Sequence, residues 1–197
     1  MISEMKLSTP EIFKEKKFIN EGTFGKVYRA KIGDQLYALK KIKVEEKNNH
    51  GFPITSIREI KVLKKLDALQ RHPNIVQLVD IVRSKSQAVY LVFEYVDFDL
   101  YRILRREQIV FSKPQLKFLM KQIMDGLLFM HQNSIIHRDI KSENLLVNTQ
   151  GVLKYADFGL ARDLFKPFYN EKTGKWDPVR YTKRVVTPYY RPPEVCL

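Results

Sequence analysis

Charged side chains and a carboxamide are concentrated in one short segment, IIHRDIKSENLLV, at residues 135–147. Two isoleucines precede them and Leu-Leu-Val follows, a pattern that predicts a strand-like apolar anchor on each side. A buried loop cannot leave charged groups unpaired without a cost of kilocalories per mole for each of them. We therefore expect these side chains to be directed at a ligand. They are His137, Arg138, Asp139, Lys141, Glu143 and Asn144.

Four other segments carry groups that suit phosphate and metal chemistry. INEGTFGKVYRA, at residues 19–30, has glycines in a turn between two predicted strands, where backbone N–H groups can approach phosphate oxygens closely. Lys40 closes the run YALK, and Glu59 is a carboxylate on an otherwise apolar helix face, which predicts a buried partner. The fourth segment, ADFGLAR, supplies Asp157.

Each segment taken alone also has a structural interpretation, such as a plain hairpin at the glycines or a solvated lysine at a strand end. Their joint order favours function, because Asp139, Asn144 and Asp157 offer a base and the oxygen ligands that Mg²⁺ binds beside phosphate and water. The histidines are unclustered, so they predict no zinc site and are interpreted as structural. They are His50, His72, His131 and His137.

The elements that must position these groups differ between the two halves of the chain. The first hundred residues contain short β-branched runs separated by turns: KVYRAKI, QLYALKKI, NIVQLVDIV and AVYLVFEYV. One helix, from about Ile54 to Leu66, interrupts them. A longer helix at 113–132 follows, begun by a capping box of Ser112 and Gln115. The sequence therefore predicts a β-rich lobe with one helix, then a helical lobe, with a ligand cleft between them.

The composition fits a folded intracellular chain. Hydrophobic residues make up 44% of the 197 residues, which is ample for a core. The single cysteine, Cys196, excludes an internal disulfide and predicts a reducing compartment. We expect no secretory signal and no membrane span, since no apolar run is long enough. The net charge of +13 suits a nucleic acid, a phosphorylated partner or an anionic cofactor, but lysines spread along the chain equally indicate a solvated surface.

The motifs together resemble a known family. YALK, Glu59, HRDIKSEN and DFG are similar to the protein-kinase signature set in order and local context. GFPITSIREIK, LVFEY and RYTKRVVT resemble cyclin-dependent kinases, most closely the branch that acts on the C-terminal repeats of RNA polymerase II. The resemblance implies an α+β, two-lobed protein-kinase fold over residues 13–197, with a β-rich N-lobe at 13–95 and an incomplete helical C-lobe at 96–197.

The resemblance also implies roles for individual residues. Asp139 would accept the proton of the substrate hydroxyl, Lys141 would stabilise the γ-phosphate, and Asn144 and Asp157 would hold Mg²⁺. Lys40, held by Glu59, would pair with the α- and β-phosphates of ATP. Phe93 would limit the depth of the adenine pocket. The other ATP-binding residues would be Ile19, Asn20, Glu21, Gly22, Thr23, Phe24, Gly25, Lys26 and Val27 in the glycine loop, Ala38 and Leu146 around the adenine, and Glu94 and Val96 in the hinge.

Regulation and partners follow from the same resemblance. Thr182 matches an activating phosphothreonine, and Arg58, Arg138 and Arg162 match the arginines that gather around it. The implied partners are a cyclin-type regulatory subunit and protein substrates with Ser/Thr-Pro, with no membrane and no direct nucleic acid. The expected location is the nucleus or the cytoplasm, and the nucleus is favoured.

The chain departs from the family pattern at several positions. Asn20 stands where the first loop glycine belongs, and Phe24 replaces a tyrosine that many members phosphorylate. Ser142 replaces a proline or small residue, and Pro188-Tyr189 replaces Leu-Trp near the substrate pocket.

The remaining C-lobe helices of the family are not found in the chain, so we expect it to be marginally stable and weakly active alone. The predicted function is that of a Ser/Thr protein kinase using Mg-ATP. The alternatives are a truncated pseudoenzyme or decoy that binds nucleotide or cyclin without catalysis, and a basic nucleic-acid binder.

Overall fold

The first half of the chain forms a five-stranded antiparallel sheet in the order β1-β2-β3-β5-β4. The computed structural model describes residues 13–22, 25–43, 52–86, 88–107, 109–164, 168–170, 173–177, 187–191 and 193. The strands are β1 (Lys14–Gly22), β2 (Gly25–Ile32), β3 (Gln35–Ile42), β4 (Leu78–Arg83) and β5 (Val89–Glu94). The predicted run QLYALKKI coincides with β3, and the sheet confirms the predicted β-rich first lobe.

The third predicted run begins earlier than the strand that it contains. NIVQLVDIV spans 74–82, but β4 starts at Leu78. The preceding residues are bonded to another part of the chain, since the Val76 N–H donates to the Tyr155 carbonyl at 3.0 Å and Asn74 accepts from the Tyr155 N–H at 2.8 Å. These contacts tie the first lobe to the second.

Helix α1 (Ile54–Leu69) covers one face of the sheet. Its buried residues are Ser56, Glu59, Val62, Leu63 and Leu66, as the predicted apolar face requires. Leu91 and Phe93 of β5 lie in the same core cluster, whereas Val92 between them belongs to a second cluster on the opposite face. This alternation is the period-two pattern of a strand buried on both faces. The helix continues three residues past its predicted end at Leu66, because Asp67, Ala68 and Leu69 contain no helix breaker.

The second half begins with short elements and the longest helix of the described residues. Strand β6 (Phe98–Asp99) leads into α2 (Leu100–Arg105), whose start is capped by the Asp99 carboxylate accepting from the Arg102 N–H at 2.7 Å. Helix α3 (Lys113–Gln132) has the predicted bounds, and both hydrogen bonds of its predicted capping box are present. The remaining strands are β7 (Ile135–Ile136), β8 (Leu145–Val147), β9 (Leu153–Tyr155), β10 (Arg162–Asp163), β11 (Phe168–Asn170) and β12 (Lys175–Asp177).

Helix α3 approaches β9 closely at Gly126. A Cβ atom at this position would lie 2.8 Å from Cε2 of Tyr155 and 3.2 Å from Cβ of Asn74. The Tyr155 hydroxyl in turn donates to the Ile123 carbonyl at 2.9 Å. The absence of a side chain therefore allows the helix to lie directly on the strand that leads to Asp157.

The apolar stripe of α3 is only partly covered by the described residues. Leu119 and Met130 are buried, whereas several other apolar side chains of the helix are exposed. They are Leu116, Phe118, Met120, Met124 and Leu128. None of the described helices is long and apolar enough to cross a membrane.

Candidate active site

The loop at 137–144 is anchored by a strand at each end, as the sequence predicts. Strand β7 precedes it and pairs with β10, and β8 follows it as the central strand of the sheet β6-β8-β9. His137 is 1% exposed and packs against the ring of Phe158 at a centroid distance of 4.8 Å. Its Nε2 lies 2.9 Å from the Ala156 carbonyl oxygen, and its Nδ1 accepts from the Asp139 N–H at 3.3 Å. This histidine holds the backbone of the loop in place.

Asp139 is 4% exposed and surrounded by donors. Asn144 Nδ2 donates to its Oδ2 at 3.0 Å and to its carbonyl at 2.8 Å, and Lys141 Nζ lies 3.1 Å from Oδ2. The Thr187 hydroxyl donates to Oδ1 of Asp139 at 3.2 Å and accepts from Lys141 Nζ at 2.9 Å. The site thus holds a hydroxyl group beside a carboxylate and an ammonium group.

Lys40 lies between two carboxylates on different elements. Its Nζ donates to the two carboxylate oxygens of Glu59 at 2.9 and 2.8 Å, and to Oδ1 of Asp157 at 2.9 Å. Glu59 on α1 is 1% exposed. The buried partner that the helix face predicts for Glu59 is therefore Lys40, and the same ammonium joins both to Asp157. Three residues far apart in the sequence thus meet at one point.

Burial and mutual attraction set the protonation states of these three groups. Burial alone would lower the pKa of Lys40, but the charges of Glu59 and Asp157 outweigh it and the net pKa is raised. Burial raises the pKa of Glu59, although Lys40 opposes the change. Burial would raise the pKa of Asp157 as well, yet the Lys40 ammonium opposes it and the net pKa lies below the usual value. Lys40 is thus cationic and Asp157 anionic at neutral pH.

Two residues of the site have left-handed backbone conformations. Arg138 has φ +65° and Asp157 has φ +58° and ψ +71°. Non-glycine residues rarely adopt these angles, and such backbone strain is often found at functional sites. Arg138 directly precedes Asp139, and Asp157 itself carries a carboxylate of the site.

The glycine turn lies between β1 and β2, with Gly22 paired to Gly25. Gly25 has φ +149°, and a Cβ atom there would overlap the carbonyl oxygen of Lys41. Only glycine therefore fits this approach of β2 to β3. The predicted loop residues are Ile19, Asn20, Glu21 and Gly22 on β1, and Gly25, Lys26 and Val27 on β2, while Thr23 and Phe24 lie outside the described residues.

Asn20, at the position of the missing first glycine, lies on β1 directly after an irregularity in the pairing with β2 between Phe18 and Asn20. It pairs with Val27, and its Oδ1 accepts from the Glu21 N–H at 2.8 Å. Asparagine tolerates left-handed backbone angles better than most residues, but the φ of Asn20 is not positive, so this property is not needed here. The strand accommodates asparagine here without backbone strain.

The residues predicted around an adenine come from three strands of the first sheet, from the segment after β5, and from one strand of the sheet β6-β8-β9. They are Val27 on β2, Ala38 on β3, Glu94 and Val96 at and after the end of β5, and Leu146 on β8. Val27 pairs with Lys40, and Ala38 pairs with the buried Phe93, so these side chains share the Lys40 face. The Glu94 N–H donates to the Gln77 carbonyl at 3.1 Å, which leaves the Glu94 carbonyl as its backbone group for a ligand.

Comparison with known proteins identifies the family. A family model described as the protein kinase domain matches residues 13–196. The chain belongs to the protein kinase family.

Individual relatives are cyclin-dependent kinases and related proteins. The chain is 45% identical over 181 residues to a CTD kinase subunit alpha of Schizosaccharomyces pombe, covering 91% of this chain and 28% of that protein. It is 43% identical over 181 residues to a CTD kinase subunit alpha of Saccharomyces cerevisiae, covering 91% and 31%. It is 43% identical over 188 residues to cyclin-dependent kinase 9 of Rattus norvegicus, covering 91% and 48%. The chain thus spans less than half the length of each of these relatives.

The three arginines predicted around a phosphothreonine come from three parts of the chain. Arg58 lies on α1, Arg162 on β10, and Arg138 in the loop before Asp139, where its Nε donates to the Leu160 carbonyl at 2.8 Å. Partial burial lowers the pKa of Arg58, and the nearby positive charge of Arg162 adds to this effect. The Arg162 Nε is buried without a hydrogen-bond partner among the described residues. Thr182 itself lies outside the described part of the chain.

Sequence reasoning missed two contacts of the 187–191 segment. Thr187 ends the quoted motif RYTKRVVT, yet nothing in its spacing predicts its contact with Asp139. The hydroxyls of Ser142 and Tyr190 lie 2.9 Å apart, which joins the segment to the turn after Lys141. Tyr189, by contrast, is 97% exposed.

Proposed function

We propose that the kinase transfers the γ-phosphoryl group of Mg-ATP to serine or threonine hydroxyls of proteins. The environment of Asp139 carries this proposal. Its buried carboxylate lies 3.2 Å from the Thr187 hydroxyl oxygen, which Lys141 also contacts at 2.9 Å. A substrate hydroxyl placed among the same groups would have a proton acceptor and a neighbouring positive charge.

The chemistry divides among four residues. Asp139 accepts the proton of the substrate hydroxyl as that oxygen bonds to the γ-phosphorus and ADP leaves, while Lys141 stabilises negative charge on the transferred group. Lys40 binds the α- and β-phosphates and is oriented by Glu59. Positioning and electrostatics supply most of the rate in such transfers.

The oxygen ligands fit a magnesium ion. Mg²⁺ favours a few hard oxygen ligands together with phosphate and water. Asn144 commits its Nδ2 to Asp139, so its side-chain oxygen is the atom that can bind a cation. Asp157 supplies an anionic carboxylate, held by Lys40 through one oxygen. Bound Mg²⁺ would neutralise charge on the phosphates.

We further propose a cyclin-type regulatory subunit and substrates with Ser/Thr-Pro. The similarity to proteins named cyclin-dependent kinase supports the regulatory subunit, as does the position of Glu59 on α1, a helix whose placement determines the Lys40 contact. The preference for Ser/Thr-Pro rests on the resemblance of the sequence motifs to that family. The boundary between the lobes would lie between residues 95 and 96. The kinase would act in the nucleus, and it would bind neither membrane nor nucleic acid.

Activation would involve phosphorylation of Thr182. A phosphate adds a charge of roughly −1.5 to −2, and bidentate arginine contacts to it are strong. Arg58 and Arg162 already lie near each other with like charge, which a phosphate between them would neutralise. Ordering of the segment around Thr182 would then place Thr187 and the substrate.

A paired assay tests the function against the decoy alternative. The full protein, with and without a cyclin subunit, would be supplied with labelled ATP, Mg²⁺ and peptides that differ only in Ser-Pro or Ser-Ala. Nucleotide binding would be measured in parallel. We expect transfer that favours Ser-Pro and is lost on removal of Mg²⁺. Nucleotide binding without transfer under every condition would overturn the proposal and identify a decoy.

A further inference from the structure

Lys65 joins α1 to the second half of the molecule. Its Nζ donates to Oδ1 of Asp163 at 2.6 Å and to the carbonyl of Asn133 at 3.0 Å. The Asp163 side chain is 19% exposed and that of Lys65 is 37% exposed, so water reaches the pair only in part. Lys64, the neighbouring lysine, is exposed and has no such contact with the described residues.

Both acceptors of Lys65 border the 137–144 loop. Asp163 lies on β10 and pairs with Ile135 of β7, the strand that leads into this loop. Asn133 is the residue at which α3 ends, just before β7. A shift of α1 away from β10 would therefore break contacts with both elements that support the loop.

The same helix carries Glu59, which must stay in contact with Lys40. Lys65 is six residues from Glu59 on one continuous helix, so a rigid displacement of α1 moves both. At the same junction Arg58 of α1 and Arg162 of β10 carry like charges close to each other. Their like charges disfavour a close approach of the helix to β10, and the ion pair of Lys65 with Asp163 opposes this effect.

We propose that Lys65 is a positioning residue: its contacts with Asp163 and Asn133 hold α1 in the placement where Glu59 reaches Lys40, before any regulatory subunit binds. The proposal rests on the proposed function for its effect on catalysis. It gives the kinase a measurable activity without a partner, because the helix placement is partly provided by the chain itself.

Substitutions at both ends of the contact test the proposal in the full protein. Lys65→Met removes the charge and keeps the apolar stem, Lys65→Arg restores a donor, and Lys65→Asp combined with Asp163→Lys exchanges the charges. Lys64→Met is the matched control on the same helix. The kcat, the KM values for ATP and peptide, and the hydrogen exchange of the α1 amides would be measured without a regulatory subunit.

We expect Lys65→Met to lower kcat/KM for ATP about three- to tenfold, as for a partly screened charged contact, to speed exchange in α1 and to leave the peptide KM unchanged. Lys65→Arg and the charge exchange should recover most of the loss, and Lys64→Met should match the wild type. Equal behaviour of Lys65→Met and Lys64→Met would overturn the proposal. So would a charge exchange whose kcat/KM for ATP is no higher than that of Lys65→Asp or Asp163→Lys alone. If the wild type transfers phosphate with a cyclin subunit but not without one, the claim of activity without a partner fails. If it transfers none under either condition, the proposed function fails, and the exchange data still decide whether Lys65 holds α1.

Discussion

At the scale of single residues, Asp139 is the most closely controlled group of the site. Three side chains donate to its carboxylate or lie within ion-pair distance of it: Asn144, Lys141 and Thr187. Because Nδ2 of Asn144 also binds the Asp139 carbonyl, the carboxylate is fixed relative to its own backbone. The group is thus oriented before a substrate arrives, which is how a proton acceptor contributes most.

Replacement of Asp139 by asparagine tests this role. The amide has the same size but cannot accept the proton, so we expect kcat to fall about 10²- to 10⁴-fold while nucleotide affinity changes little. Phosphotransfer and nucleotide titration would be measured on the same preparation. Asp34→Asn, at a fully exposed turn, is the control and should leave both unchanged. Wild-type turnover by the Asp139 variant would exclude it as the base.

His137 predicts a dependence of stability on pH. Its Nδ1 accepts the Asp139 N–H, so Nε2 carries the ring proton and donates to Ala156. Burial lowers the pKa of His137 below the usual value. Below about pH 6.5 the unfolded chain takes up a proton that the folded chain does not. The free energy of unfolding therefore decreases as the pH is lowered, by up to about 1.4 kcal/mol per pH unit.

Denaturant unfolding between about pH 7.5 and 5.5 measures this slope. His137→Asn should be less stable throughout and should show a flatter decline, because the titrating group is gone. His131→Asn, at an exposed position of α3, should keep the wild-type slope. An unchanged slope in the His137 variant would contradict the assignment.

At the scale of elements, the stability of α3 depends on Ser112, the residue that caps its start. Ser112 accepts from the Gln115 N–H, and Gln115 accepts from the Ser112 N–H at 2.8 Å. Ser112→Ala removes one half of this box and should cost about 1 kcal/mol of unfolding free energy. Thr149→Ala, at an exposed turn, should cost much less. Urea unfolding midpoints would measure both losses, provided that the dependence of the unfolding free energy on urea concentration is the same in both variants. Equal losses would mean that the capping box does not stabilise α3 specifically.

Phosphorylation is predicted to act on the segment that contains Thr182. Preparations with and without phosphate on Thr182, verified by mass spectrometry, would be compared with Thr182→Ala, each with the same cyclin subunit. We expect phosphorylated wild type to be about tenfold or more active than the other two, because charged arginine contacts order the segment. Arg162→Ala should remove most of that advantage. Equal activity of all preparations would refute this switch.

The sequence predicted elements well where the signals are local. The bounds of α3 follow from its capping box and periodicity, and β3 follows from a β-branched run closed by turns. The start of β4 was predicted too early, because Asn74 and Val76 bond to a strand about eighty residues away. Periodicity carries no information on such contacts.

The same distinction holds at the site. A lone carboxylate on an apolar helix face predicted a partner for Glu59, and the structure supplies Lys40. The contacts of Thr187 with Asp139 and of Lys65 with Asp163 join residues distant in sequence whose types are ordinary on a surface. Neither composition nor spacing distinguishes such residues from solvated ones, so only the fold shows them.

At the scale of the whole molecule, the exposed apolar face of α3 predicts self-association of the isolated 197-residue chain. Large exposed apolar patches favour association or aggregation. Met120→Gln combined with Met124→Gln should lower the weight-average mass at high protein concentration and reduce binding of a hydrophobic dye. Lys117→Gln, an exposed polar change on the same helix, is the control. Sedimentation over a concentration series would measure the effect, and identical association of both variants would argue against this face.

The contact of Gly126 with Tyr155 also limits which inherited changes the chain can carry. Every single-nucleotide missense change in a glycine codon adds at least one carbon atom, and here that carbon would meet an aromatic ring at 2.8 Å and a second side chain at 3.2 Å. The ring is fully buried and its hydroxyl is bonded to the helix, so it has no room to move aside. Natural variation at codon 126 should therefore be almost entirely silent, whereas the neighbouring codon for Asp125, whose side chain is 41% exposed, should accept several amino acids.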